Sequence, residues 1–411
     1  MLIIHAKDKE IYIKNGLISE PFLPDSDTRE IDARGLLALP GLCDVHVHFR
    51  DPGFTHKEDI LSGARAAASG GVTTCLCMPN TSPATDSPET VRYCLDKAKD
   101  APIRVYPYGA ATVGQKGEQL TDFTALKNAG AAAISDDGNP IQSAQVLLAA
   151  LIASKNAGLV LAVHCEDANL VQNYAVNEGA VSRKLGLPGR PAVAEELQVD
   201  MSVRLAKHAG ARVHICHVST RGSVEIIRRA KAEGVAVTAE TCPHYFTLTE
   251  NAVLEKGSLA RVNPPLRTQD DVEAIAEALR DGTIDCIATD HAPHNTEEKE
   301  RPLPDAPSGM VGLETLLSLA YSELCQKRGF SVTQLQELLC YSPARIFGLP
   351  EPSLEPGSPA DLCLFDTEKH WTLTEKDLYG KSKNTPFLGR KMTGRVEMTV
   401  CRGAVVFERQ K

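Results

Sequence analysis

The sequence of 411 residues predicts a (β/α)8 barrel of the TIM type, carrying a small composite β-sandwich built from the two chain ends. Three observations point there. From about residue 40 to 350, short β-rich apolar runs that end in polar residues alternate with longer stretches rich in Ala, Leu, Glu and Lys, as βα units around a parallel sheet do. Eight such runs can be read along this stretch. The ends differ: they carry short alternating runs such as IYIKNGLIS and EMTVCRGAVVF. Neither end is long enough to bury its own core, so the two are expected to fold against each other.

In chain order the expected strands are 39–49, 71–79, 103–111, 131–136, 159–166, 213–219, 235–242 and 284–293. Helical stretches lie between them, among them 57–69, 143–157 and 221–234, and most of these close on Gly, a preferred helix end. The barrel is therefore assigned to 41–350 and the sandwich to 1–40 with 351–411. The Pro/Gly-rich LPEPSLEPGSPAD, 349–361, reads as the link between them.

Composition excludes several functions. Apolar residues make up 43% and charged residues 24%, as in an ordinary globular protein, and long disorder is not expected. The net charge is -9 with no basic run, so the chain lacks the footprint that binds a phosphate backbone, and nucleic acid is not an expected partner. No apolar run reaches the roughly 18 residues of a membrane span. The first residues, MLIIHAKDKEIYIKNG, are unlike a secretion signal. A cytoplasmic protein without a membrane partner is expected. The 12 Cys are scattered through apolar runs without paired metal spacing, and read as reduced core residues.

In such a barrel the C-terminal strand ends form the active mouth, so polar residues closing apolar runs come first. His46 and His48 close the first strand as H-x-H, and a period of two places both imidazoles on one face. Asp137 follows strand four, His164 ends strand five, His217 strand six and Asp290 strand eight. A lone His at a strand end is usually an ordinary satisfied polar residue; agreement across several strand ends reverses that reading. Imidazoles and carboxylates on one rim suit Zn²⁺, as one or two ions per chain. Two ions sharing a hydroxide would provide a nucleophile at neutral pH, and Asp290 is the candidate proton shuttle. His5, His208, His214 and His370 are read as ordinary core or surface residues and His56 as loop. His214 precedes His217 by three and is expected to point away from the site, whereas His244 and His291 are expected to hydrogen-bond its ligands.

The same residues carry a resemblance that spans nearly the whole chain. DVHVHFRDPG (44–53), MPNTSP (78–83), SDDG (135–138), VHCED (163–167), CHVST (216–220), NPPLR (263–267) and ATDHAPH (288–294) together resemble the bacterial dihydroorotases of the amidohydrolase superfamily. The resemblance implies zinc-dependent, reversible cyclisation of N-carbamoyl-L-aspartate to L-dihydroorotate in pyrimidine biosynthesis. It implies that Arg50, Asn80 and His294 hold the substrate carboxylate, that Asn263 contacts the ring or carbamoyl part, and that Ser308 and Gly309 offer backbone contacts. Arg presents a planar fork suited to a carboxylate, and this reading of Arg50 is preferred to a structural ion pair with Asp44 or Asp51, since exposed pairs are weak. Many relatives bridge their metals with a carboxylated Lys after strand four; here SDDG stands there, with Asp137 as the bridge and Asp136 as the alternative. Ser308 stands where relatives usually carry a bulky residue.

The resemblance also implies a homodimer and association with aspartate transcarbamoylase, for which no patch is readable in the sequence. Residues 295–309, polar and Pro-rich, are expected to fold over bound substrate as barrel lids do. Two rival functions are weighed: a related cyclic amidase (hydantoinase, dihydropyrimidinase or allantoinase), against which Arg50 and the missing Lys argue, and a non-catalytic scaffold, against which the filled ligand positions argue.

Overall fold

Gly41 divides what the sequence suggests is one strand over 39–49. In the computed structural model, which describes residues 1–172 and 174–410, Leu37–Pro40 belongs to a terminal sheet and Leu42–Val47 opens the barrel. A Cβ at Gly41 would lie 2.1 Å from Thr73 Oγ1, so this crossing from sheet to barrel needs the bare backbone.

The barrel strands are Leu42–Val47, Val72–Cys77, Arg104–Ala110, Ala133–Ser135, Leu161–Val163, Val213–Ile215, Val237–Thr241 and Cys286–Ile287, in chain order around one sheet of eight. Neighbouring strands pair in parallel. The circle closes through a parallel bridge between Val47 and His291, with His48 N donating to His291 O at 2.8 Å. Several strands are shorter than expected because the residues at their C-terminal ends leave the ladder to line the mouth. Outside lie the helices, for example Ile60–Ser69 capped by Asp59, Ala144–Ala157 capped by Ser143 and ended by Gly158 at φ +67°, and Arg221–Ala232 capped by Thr220.

Alternation along each strand sorts the core into two shells. Ile134, Leu161, Val163, Val213, Ile215, Val237 and Ile287 face the helices. Cys43, Val45, Leu76, Tyr108, Ala133, Ala162, Cys216, Cys286 and Ala288 fill the barrel interior, sealed below by Phe347, whose ring meets Tyr108 edge-on. Small residues dominate the filling, as the narrow interior of an eight-stranded barrel requires.

The termini form two four-stranded sheets. One contains Leu2–Ala6, Glu10–Lys14, Leu17–Ser19 and Arg29–Ala33; the other joins Leu37–Pro40 to Leu362–Thr372, Lys391–Cys401 and Ala404–Glu408. Ile4, Ile13 and Ile31 from the first meet Leu362, Leu364 and Val400 from the second in one buried cluster. The C-terminal segment also reaches the barrel mouth. Asn384 accepts from His294 N at 3.0 Å and donates to the carbonyls of Ala292 and Gly309, both at 3.1 Å.

Candidate active site

Four imidazoles and two carboxylates converge on the mouth, each placed by strand parity or by a break in it. Cys43 and Val45 face the interior, so strict alternation would turn His46 outward. The pairing is irregular between Asp44 and Val47, and that slip brings His46 and His48 inward above Val45. Ala133 faces inward and parity carries this through Ser135 to Asp137; Asp136 faces the other way, accepting from Ala111 N at 2.8 Å and Thr112 N at 3.1 Å. Of the two acids in SDDG, Asp137 is therefore the one in the site. His164 and Asp290 follow the parity of Ala162 and Ala288. His217 does not. Its φ of +34° turns it back toward the mouth after Cys216, and Asp290 also sits at positive φ, +48°. Such backbone is sparsely populated and tends to persist where the surroundings enforce it.

Asp137 is the centre of the cluster. Its Oδ2 lies 3.4 Å from His48 Nε2 and 3.5 Å from His46 Nε2, while its Oδ1 lies 3.2 Å from His217 Nε2 and 3.4 Å from His164 Nδ1. Asp290 Oδ1 lies 3.0 Å from His48 Nε2 and 3.5 Å from His46 Nε2. The donors thus divide into two groups, His46 with His48 and His164 with His217, that share Asp137. Burial by itself would raise the Asp137 carboxyl; the surrounding imidazoles, His46 foremost, hold it well below its ordinary range. Asp290 is likewise opposed by burial and lowered by its hydrogen bond to His48.

Three of the four far ring nitrogens are committed elsewhere; the fourth, His217 Nδ1, is buried without a hydrogen-bond partner among the described residues. His46 Nδ1 meets Glu240 Oε1 at 2.5 Å, His48 Nδ1 meets Asn80 Oδ1 at 2.8 Å, and His164 Nε2 meets Glu166 Oε2 at 3.1 Å. Arg190 Nη1 in turn donates to Glu166 Oε2 at 2.7 Å. Each partner is an acceptor, so each of these nitrogens carries its proton, and in the neutral ring the opposite nitrogen would present its lone pair toward Asp137. Among the described residues His46 Nε2, though buried, has no hydrogen-bond partner. A buried imidazole lone pair aimed at a carboxylate that repels it makes sense with a cation between them, and the N/O donor set fits a divalent metal.

Above the cluster opens a cavity of about 390 Å³, lined by Arg50, Asn80, Asn263, His294, Ser308 and Gly309 together with the cluster residues and the loop from Pro304. The ion pair weighed for Arg50 does not form. Asp44 is taken by Thr289, whose Oγ1 donates at 2.5 Å, and Asp51 accepts from Tyr93 at 2.8 Å. Half-buried Arg50, at φ +61°, has among the described residues only distant polar contacts, 3.4 Å each, with Pro293 O and His294 Nε2. His294 Nε2–H donates to Ser308 O at 2.9 Å, and burial, then Arg50, Lys57 and Lys299, hold this imidazole neutral, down to about 2. Ser308 Oγ donates to Asn263 Oδ1 at 2.9 Å. A guanidinium beside a neutral ring, with no carboxylate in ion-pair range among the described residues, makes a site suited to an anion.

Residues 295–309 include a short helix, Thr296–Lys299, and then run along the cavity wall. Buried Lys299 ties the loop down, donating to Pro307 O at 2.9 Å and Gly309 O at 3.0 Å. Burial is the main reason its ammonium is lowered to about 7.

Two sequence expectations are corrected. His214 does not point away: it lies in the barrel interior, its Nε2 3.2 Å from Glu240 Oε2 and its Nδ1 2.8 Å from Thr238 Oγ1. The spacing of three misleads because His217 has left the strand. Among the described residues, neither the His244 nor the His291 ring hydrogen-bonds a candidate ligand. His291 contributes its backbone carbonyl to His48 N, and its ring accepts from Gly312 N at 3.2 Å. Sequence reasoning also missed Glu240 and Glu166. Both end inward-facing strand positions, and a carboxylate in an otherwise apolar strand such as VAVTAETC was the available signal.

Known proteins resemble this chain in sequence and in fold. A family model described as dihydro-orotase-like matches residues 35–223. A dihydroorotase of Geobacter metallireducens is 45% identical over 97% of this chain and 95% of its own length, and one of Acetivibrio thermocellus is 46% identical over 97% and 94%. Among solved structures, the L-hydantoinase (dihydropyrimidinase) of Arthrobacter aurescens superposes with a TM-score of 0.86 at 26% identity, covering 100% of this chain and 96% of that one.

Proposed function

The chain belongs to the dihydroorotase family of cyclic amidohydrolases, and from that premise we propose that its barrel mouth interconverts N-carbamoyl-L-aspartate and L-dihydroorotate, a step of pyrimidine biosynthesis, with zinc held by His46, His48, Asp137, His164, His217 and Asp290. The observation that carries the reading is the pairing of this donor cluster with an uncompensated Arg50 in one cavity. Dihydroorotate carries a carboxylate that hydantoin and allantoin lack, and Arg50 supplies the fixed positive charge for it.

When bound, the cation supplies Lewis acidity and lowers the pKa of the water it holds toward 7. The protein's own residues do the rest. Arg50, with Asn80 and His294, holds the carboxylate and so orients the ring over the cluster. Asn263, steadied by the Ser308 hydroxyl, faces the carbamoyl or ring amide, and the backbone at Ser308 and Gly309 closes that side. In hydrolysis Asp290, ionised at rest, accepts the proton of the attacking water and delivers it to the departing ring nitrogen. Ring closure runs the same transfers backward, with water released. Asp44 keeps Asp290 in register by holding Thr289 and accepting from His46 N at 3.2 Å. Residues 304–309 wall the cavity and limit the entry of further water.

The twelve cysteines are all unpaired, which supports a reducing, cytoplasmic setting. Among the described residues no helix is long and apolar enough to cross a membrane.

Turnover of dihydroorotate, hydantoin and allantoin by zinc-loaded protein tests the proposal. Activity confined to dihydroorotate is expected; preference for either uncharged ring would overturn it. Metal analysis of the same preparation is expected to find one or two zinc per chain.

A further inference from the structure

Glu240 lies at the end of the seventh barrel strand, fully buried beneath the donor cluster. It does not line the substrate cavity. One of its oxygens meets His46 Nδ1 at 2.5 Å and the other His214 Nε2 at 3.2 Å. His214 is itself fixed, by Thr238 on its far nitrogen and by an edge-on contact with Phe347, the ring centroids 5.1 Å apart. The carboxylate therefore joins strands one, six and seven from inside the barrel.

Its immediate surroundings are Cys216, Cys286 and the apolar interior, which offer a charge almost no solvation. Such a group is costly to bury unless it is paired and hydrogen-bonded. A neutral amide or an apolar side chain would fill the space without that cost. The donor partners differ in charge: His48 has the neutral Asn80, whereas His46 and His164, one in each half of the cluster, have carboxylates.

We infer that Glu240 is a positioning residue for the metal centre: its carboxylate fixes the proton of His46 on Nδ1, aims the Nε2 lone pair at the shared Asp137 position, and makes that imidazole a stronger donor. The inference rests on the functional reading above, because it requires a cation at the cluster. Carboxylate partners of ligating imidazoles typically contribute 10–100-fold to metal affinity. The same factor is expected here, and because Glu240 is remote from the substrate cavity, the defect should fall on kcat and leave KM within about threefold.

Two measurements test it. Glu240→Gln keeps the shape and one acceptor but removes the charge. Competition of folded variant and parent against a zinc chelator is expected to show zinc held about 10–100-fold more weakly by the variant. Equal zinc affinity with an unchanged kcat overturns the inference. Nitrogen NMR of the zinc-loaded parent, labelled at histidine, serves even where the variant fails to fold. His46 is expected to carry its proton on Nδ1 and zinc on Nε2; the opposite arrangement overturns the inference. A parent that binds no zinc at all instead overturns the functional reading, so the two failures are distinguishable.

Discussion

Asp290 Oδ1 lies 3.0 Å from His48 Nε2, and both side chains belong to the donor cluster at the barrel mouth. The carboxylate that moves the proton is thus also a candidate ligand, so its two roles have to be separated by mutation. Asp290→Asn keeps an oxygen donor but cannot accept a proton. Zinc content is expected to stay within about a factor of two, while kcat falls about 10²–10⁴-fold, the usual contribution of a positioned acid–base. Measured turnover above a tenth of the parent's would rule out the shuttle.

Arg50 faces the cavity without a carboxylate partner, so removing its charge leaves no orphaned acid behind. Arg50→Ala is expected to lose a charge-assisted contact of about 1.5–3 kcal/mol, which raises KM for dihydroorotate roughly 10–100-fold. Arg50→Lys should recover only part of this, because an ammonium lacks the fork. Steady-state kinetics of both variants decide it; an unchanged KM would place the carboxylate elsewhere.

His294 should make the fold acid-sensitive. Its folded value, about 2, lies below the ordinary 6.5, so between these pH values the unfolded chain binds a proton that the folded chain refuses. Stability therefore falls as pH drops below 6.5, by about 2 kcal/mol at pH 5 from this group alone. His294→Gln removes the titration. Urea unfolding at pH 5 and pH 8 is expected to show a smaller acid loss in the variant than in the parent, and equal losses would contradict the assignment.

Lys299 holds the carbonyls of Pro307 and Gly309, so one buried side chain carries two of the loop's ties. Lys299→Met retains the buried stem and deletes the donors. The expected result is faster limited proteolysis at Arg301 and a KM raised severalfold, with zinc content unchanged. Proteolysis at the parent rate would show that Asn384 and Asn263 suffice to hold the loop.

Much of this was legible in the chain. Eight alternations predicted the barrel, and H-x-H, SDDG and TDH named positions that the structure gathers into one cluster about Asp137 at the barrel mouth. What misled was the assumption of unbroken alternation. It turned His214 away from the site, when the irregularity lies at His217, where φ is +34°. It also gave the expected answer at His46 for an incomplete reason, since that residue faces inward only because the first strand slips between Asp44 and Val47. Glu240 and Glu166 went unread because a carboxylate in an apolar strand, the one local signal, does not say which imidazole it will meet: His46 lies 194 residues from Glu240.

By itself the sequence determined the βα order, the pairing of the two chain ends in one small sandwich, and which residue types reach the mouth, because hydrophobic periodicity and short-range spacing are properties of neighbours in the chain. The tertiary structure alone decided which nitrogen of His46, His48 and His164 is committed away from the site, that both halves of the cluster share Asp137, and that Arg50 makes no ion pair with an acid among the described residues. Those are relations between strands distant in sequence, set by barrel closure and by local breaks in strand geometry, and no spacing along the chain encodes them.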